Sequence, residues 1–180
     1  MPRSSSGSQS LGRMASRVAR SLATHQTPLV LAESCTCGLI AASLGGIPGI
    51  SKWLCGSAVV YQEATKTAWL KVGEELISRH GVVSGEVAEA MALGALDATP
   101  QARLAGSITG HLGPNAPAPL DGLVFAAVAR RDAEGLARIH MARLKLPAGK
   151  GTPQAIRLRR REQAATFVLK LLHEALSKQR

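Results

Sequence analysis

Apolar positions along the chain repeat with two periods, and the alternation between them lays out the elements. Leu11, Met14, Ala15, Val18 and Leu22 recur at helical spacing and predict an amphipathic helix to about residue 23. Leu29 to Ala32 is a continuous apolar run, the mark of a buried strand. It breaks into a polar elbow, Glu33, Ser34, Cys35 and Thr36, and a helix is predicted from about Cys37 to the Gly45-Gly46 pair. Pro48 and Gly49 then mark a turn. Leu54 to Tyr61 reads as a strand, Gln62 to Leu70 as a short helix, and Leu76 to His80 as a further helical piece stopped by Gly81. Ser84 is placed to cap a helix over GEVAEAMALGAL, which carries acids in its first turn. Leu104 to Ile108 predicts a buried strand ending at Thr109-Gly110. Leu123 to Ala129 and Leu136 to Leu144 read as an antiparallel hairpin, and Gln154 to Lys178 as a long terminal helix. No repeat or linker divides this pattern. It predicts one α/β domain, with helices on both faces of a mixed sheet.

Composition narrows the class. A chain of 180 residues, 46% hydrophobic, is long enough to bury a real core. No apolar run reaches the roughly 18 residues of a membrane span, and no apolar core follows the basic N-terminus as in a signal peptide. Residues 1–10 are Ser-rich and predict a disordered tail ahead of a domain over 11–180. The odd set Cys35, Cys37 and Cys55 points to reduced thiols and a cytoplasmic location. A CxC pair without a second close ligand pair argues against a metal site.

Charge adds a partner class. Net charge is +10, from 22 Lys and Arg against 12 Asp and Glu. Residues 1–32 hold no acid and residues 157–161 read RLRRR, so anionic partners are favoured, nucleic acid or phosphorylated small molecules. Basic runs are usually solvated faces, and aromatics at 3% leave little material for stacking bases.

Candidate chemistry gathers at strand ends, where open α/β sheets bind ligands. The hydroxyls of Ser34 and Thr36 follow a strand and precede a helix, a geometry that either caps the helix or holds an oxyanion. Tyr61 and Lys66 lie five residues apart across a strand-to-helix junction. Burial that lowers a lysine from about 10.4 to about 7–8 would make it a general base towards Ser34, at roughly 4 kcal/mol. A solvated Lys66 and a core-edge Tyr61 are the plainer readings. The loop TGHLGPNAPAPLDG is long and Gly/Pro-rich, as functional loops often are.

Four segments, AESCTCG, IPGISKWLCGSAVVYQEATK, GVVSGEVAEAMALGAL and SITGHLGP, resemble in order and spacing the CinA C-terminal family of competence/damage-inducible proteins, which includes bacterial nicotinamide-nucleotide amidohydrolases. The resemblance spans about residues 11–176. It implies a three-layer α/β/α sandwich, a homodimer, and cofactor-independent hydrolysis of nicotinamide mononucleotide to nicotinic acid mononucleotide and ammonia. It also implies Ser34 as nucleophile, with Lys66 and Tyr61 completing a Ser–Lys site and Thr109 as the active-site threonine. Substrate contacts are expected from Glu33, Thr36, Gly38, Ser51, Gly110, Gly113 and Arg157. The chain departs from the family pattern at Cys37, which stands for a glycine, at His111, and at Ala155-Ile156, which replace Gly-Asp ahead of Arg157. The family often carries this domain behind a molybdopterin-binding-like domain, and the chain reads as a stand-alone version. The alternatives are a non-catalytic protein of DNA uptake or damage response, and an amidase for another small amide.

Overall fold

In chain order the elements are α1 (Ser6–Thr24), β1 (Leu29–Glu33), α2 (Leu39–Gly45), a 3-10 turn (Ile50–Lys52), β2 (Leu54–Val59), α3 (Glu63–Leu70), α4 (Glu74–His80), α5 (Gly85–Asp97), β3 (Leu104–Gly110), β4 (Leu123–Arg131), β5 (Ala137–Lys145) and α6 (Pro153–Ser177). They come from a computed structural model that describes residues 6–132, 134–135 and 137–178. The strands form one sheet in the order β2-β1-β3-β4-β5. β1 pairs in parallel with β2 and β3, while β3–β4 and β4–β5 are antiparallel. The sheet is therefore mixed, and its parallel part lies around β1.

All five residues of β1 are buried, which is why Leu29 to Ala32 read as an unbroken apolar run. Leu29 and Leu31 join a core with Leu104 and Ile108 of β3, sealed by α1, α2 and α6 through Leu22, Ile40 and Leu172. Val30 and Ala32 join a second core with Val87 and Met91 of α5, Leu70 of α3 and Ile77 of α4. Each fully buried leucine contributes roughly 2 kcal/mol. The sheet face under α5 is built from Ala105, Ser107, Ala127 and Ala129, small enough for the helix to settle closely. There Ser107 Oγ donates to the Ala88 carbonyl of α5, so its buried hydroxyl is satisfied. The result is a single-domain three-layer α/β/α sandwich. No described helix is long and apolar enough to cross a membrane.

Element ends differ from the sequence expectation for local reasons. Residues 6–10, expected in a tail, are helical backbone at the start of α1, while residues 1–5 of that expectation lie outside the described residues. The helix expected from Cys37 starts at Leu39, because Cys37 (φ 51) and Gly38 (φ 83) are both left-handed. β2 stops at Val59, short of the expected Tyr61, as the Val60 and Tyr61 carbonyls turn inward to a lysine. Ser84 caps α5 as its position predicts, accepting from Val87 N.

Candidate active site

β1 and β3 run in parallel side by side, so the loops that leave them emerge at the same end of the sheet. Ser34 N donates to the Ile108 carbonyl at 3.1 Å, which fixes the elbow against β3. The loop after β3 folds over this point and encloses a cavity of about 480 Å³. Ser34, Cys35, Lys66, Thr109, His111 and Arg157 are among its lining residues.

Lys66 is the least expected side chain here, being 0% exposed. Its Nζ lies 3.1 Å from Ser34 Oγ, 2.7 Å from the Val60 carbonyl and 3.3 Å from the Tyr61 carbonyl. A neutral amine has two N–H bonds and one lone pair. With both N–H groups donated to the carbonyls, the lone pair is left for the Ser34 hydroxyl. Burial lowers the Lys66 pKa below the ordinary lysine value, against the opposing charges of Cys35 and Glu63. The Cys35 part of that opposition requires a thiolate. Burial pushes the Cys35 thiol up to about 12, so near neutral pH it is uncharged and does not hold the proton on Lys66.

Thr109 is buried and lines the same cavity, its hydroxyl donating to the Val82 carbonyl at 2.9 Å. Tyr61 serves the site differently from expectation. Its carbonyl holds Lys66, while its phenol, on a side chain 52% exposed, accepts from Arg157 Nη2 at 2.6 Å. Arg157 Nη1 donates to the Gly113 carbonyl at 3.2 Å, so the guanidinium spans from Tyr61 to the loop. Gly110 and Gly113 line the cavity with it.

Glu33, Thr36, Gly38 and Ser51, expected at the substrate, are not among the cavity's lining residues. Glu33 is fully buried and works inside the fold. Its carboxylate accepts from Ile40 N and Ala41 N at the start of α2, from Thr36 Oγ1 at 2.7 Å and from Ser57 Oγ at 3.2 Å. It thus satisfies helix N-terminal N–H groups that the left-handed Cys37 and Gly38 leave without a side-chain cap. Ser51 is exposed in the 3-10 turn after Gly49. Cys37 is exposed at its left-handed position, a conformation a glycine would adopt without strain.

One pair was not anticipated. Arg160, inside the RLRRR run, is only 2% exposed. It forks onto Asp121 through Nη1–Oδ1 at 2.9 Å and Nη2–Oδ2 at 2.8 Å. It also donates to the Leu112 carbonyl at 3.0 Å and the Pro147 carbonyl at 2.8 Å. α6 thereby pins both ends of the loop that roofs the cavity. The fork needs room: a Cβ at Gly113 would sit 1.8 Å from Asp121 Oδ1, and one at Gly122 2.6 Å from the Leu146 carbonyl. The Arg160 hydrogen bonds hold the Asp121 carboxyl below its usual range. Charge runs are usually solvated, so the sequence carries no signal that singles out Arg160 from its neighbours. Among the described residues no group of three or more His, Cys, Asp or Glu is placed to hold a metal.

Comparison with known proteins gives these features a family. The model of the CinA C-terminal domain matches residues 11–176. A CinA-like protein of Myxococcus xanthus is 46% identical over 102 residues, covering 56% of this chain and 24% of that protein. One from Mycolicibacterium gilvum is 40% identical over 151 residues, covering 83% of this chain and 33% of its own length. The chain therefore spans about a quarter to a third of these relatives. Among solved structures, competence/damage inducible protein CihA from Agrobacterium tumefaciens superposes with a TM-score of 0.80 at 30% identity, covering 94% of this chain and 96% of that one. A CinA superfamily protein from Klebsiella pneumoniae superposes with a TM-score of 0.79 at 28% identity, covering 93% and 98%. On its sequence and its fold together, the chain belongs to the CinA C-terminal domain family.

Proposed function

We propose that the protein is an amidohydrolase that converts nicotinamide mononucleotide to nicotinic acid mononucleotide and ammonia. The observation that carries this reading is the buried Lys66 amine 3.1 Å from Ser34 Oγ, with its N–H groups held by the Val60 and Tyr61 carbonyls. A desolvated amine in that position takes the serine proton as the oxygen attacks the carboxamide carbon. The elbow N–H of Cys35, which lines the cavity next to Ser34, is the candidate donor to the oxyanion of the tetrahedral intermediate. Collapse breaks the C–N bond, the Lys66 ammonium returns its proton to the departing nitrogen, and ammonia leaves an acyl ester on Ser34. Water, deprotonated by the same amine, then cleaves the ester and regenerates the serine.

Recognition of the 5′-phosphate falls to Arg157 and the N–H-rich Gly110–Gly113 segment on the cavity wall. Cys35, Cys37 and Cys55 are all unpaired, which suits a reducing cytoplasm. The test is ammonia release by purified wild type, Ser34→Ala and Lys66→Ala. Turnover in the wild type that falls by several orders of magnitude in both variants is the expected result. A folded but inactive wild type would sink the reading. His111 on the cavity wall favours one rival, a different small amide, and competition assays against nicotinamide mononucleotide separate the two.

A further inference from the structure

Four arginines meet around a second cleft, of about 430 Å³, lined by Thr27, Arg103, Arg130, Arg131, Asp132 and Arg138. The β4–β5 register sets Arg130 directly opposite Arg138. On the next rung Arg131 N donates to the Arg103 carbonyl, so these two arginines also face each other across β3 and β4. Like charges directly opposite on neighbouring strands repel, as Arg130 and Arg138 do, while Arg131, the next residue along β4, turns its side chain to the α5 face of the sheet. Two acids stand beside these arginines. Asp97, with its side chain 81% exposed, is 3.7 Å from Arg131, and Asp132 is 3.9 Å from Arg138, whose side chain is 87% exposed. Arg131 is held in place by its bond to the Leu96 carbonyl, and its Nε is buried without a hydrogen-bond partner among the described residues.

We infer that this cleft binds a compact anion carrying two or three phosphate groups. Guanidinium groups match phosphate oxygens bidentately and lose little hydration in doing so. An anion there converts the cross-strand repulsion into a shared counter-charge. The volume suits a di- or triphosphate, and no aromatic side chain lines the cleft to stack a base. The site is independent of the chemistry at Ser34, because it lies at the start of β3 and the β4–β5 turn, whereas the catalytic cavity lies at the end of β3.

The experiment measures binding of inorganic tripolyphosphate by calorimetry to an Arg157→Ala protein, which removes the cation of the other cavity. Arg130→Gln/Arg138→Gln is then added on that background, with ATP, sulfate and a DNA oligonucleotide as further arms. Binding at least about tenfold weaker in the triple variant is expected. Its thermal unfolding without ligand should be unchanged or raised, since the repulsion is gone. Equal binding by tripolyphosphate and ATP assigns the site to the phosphates alone, and tighter ATP binding assigns it to a nucleotide. Tripolyphosphate binding that survives the double substitution, or that is no stronger than sulfate, overturns the inference. So does binding confined to the oligonucleotide and lost steeply with salt, which would make this face a nucleic-acid surface.

Discussion

Lys66 carries the most chemistry of any residue in the fold, and its burial gives its behaviour a sign. A base must be unprotonated to act, and desolvation lowers the pKa at which Lys66 loses its proton. The rate should therefore rise with pH through that lowered value and level off before the ordinary lysine range. A pH profile of kcat/KM for ammonia release measures the limb directly. Lys66→Arg keeps a cation but never a lone pair in this range, so it should be as inactive as Lys66→Ala. The Arg160–Asp121 pair makes a separate prediction. Arg160→Met leaves the partly exposed Asp121 carboxylate and the Leu112 and Pro147 carbonyls without their donor, and should cost about 1–3 kcal/mol in denaturant unfolding. The Asp121 pKa is depressed in the folded state. Its contribution is therefore complete above the ordinary carboxylate range and is lost as pH falls through the folded value.

Among the elements, α2 depends on a side chain that lies outside it. Glu33→Ala strips acceptors from Ile40 N and Ala41 N and from two hydroxyls, all in or beside the core. The expected loss is about 2–4 kcal/mol, or a fall of roughly 5–10 °C in thermal midpoint. The contact between α1 and α6 has its own pH sensitivity. His173 Nε2 accepts from Arg17 at 2.9 Å, and its Nδ1 lies 3.1 Å from Ser21 Oγ, an arrangement that needs a neutral ring. Burial and the Arg17 charge lower its pKa, so the unfolded chain binds the proton more readily. Stability from this contact is full above the free-histidine value and falls away below it. Thermal midpoints from about pH 7.5 to about pH 5.5 should drop further in the wild type than in His173→Gln.

Element order and the three layers were legible because β1, α5 and α6 carry unbroken or strongly periodic apolar positions, and these are set by which face is buried. Ser34, Lys66 and Thr109 each had a plain structural reading as a cap, a surface lysine or a loop residue, and the three were grouped only by the resemblance to the CinA pattern; the fold brings all three to one cavity. What stayed hidden depended on long-range geometry. Glu33 reads as a site residue until the left-handed Cys37 delays α2 and hands its N–H groups to the carboxylate. Arg160 reads as one of several solvated cations until Asp121, 39 residues away in sequence, is brought against it.

For the whole molecule, a net charge of +10 should draw anionic substrates to the cavity. Added salt should lower kcat/KM for nicotinamide mononucleotide and leave that for the uncharged riboside nearly unchanged. The division of labour within the fold has a different kind of consequence. The Ser34–Lys66 pair hangs from β1 and the β2–α3 junction, while the loop that roofs the cavity is fastened to α6 through Arg160. If the proposed amidohydrolase reading holds, mutational drift in the roof would retarget the protein among related amides without disturbing the Ser34–Lys66 pair. On that reading, a lineage carrying this scaffold would have a route to new substrates that does not pass through an inactive ancestor.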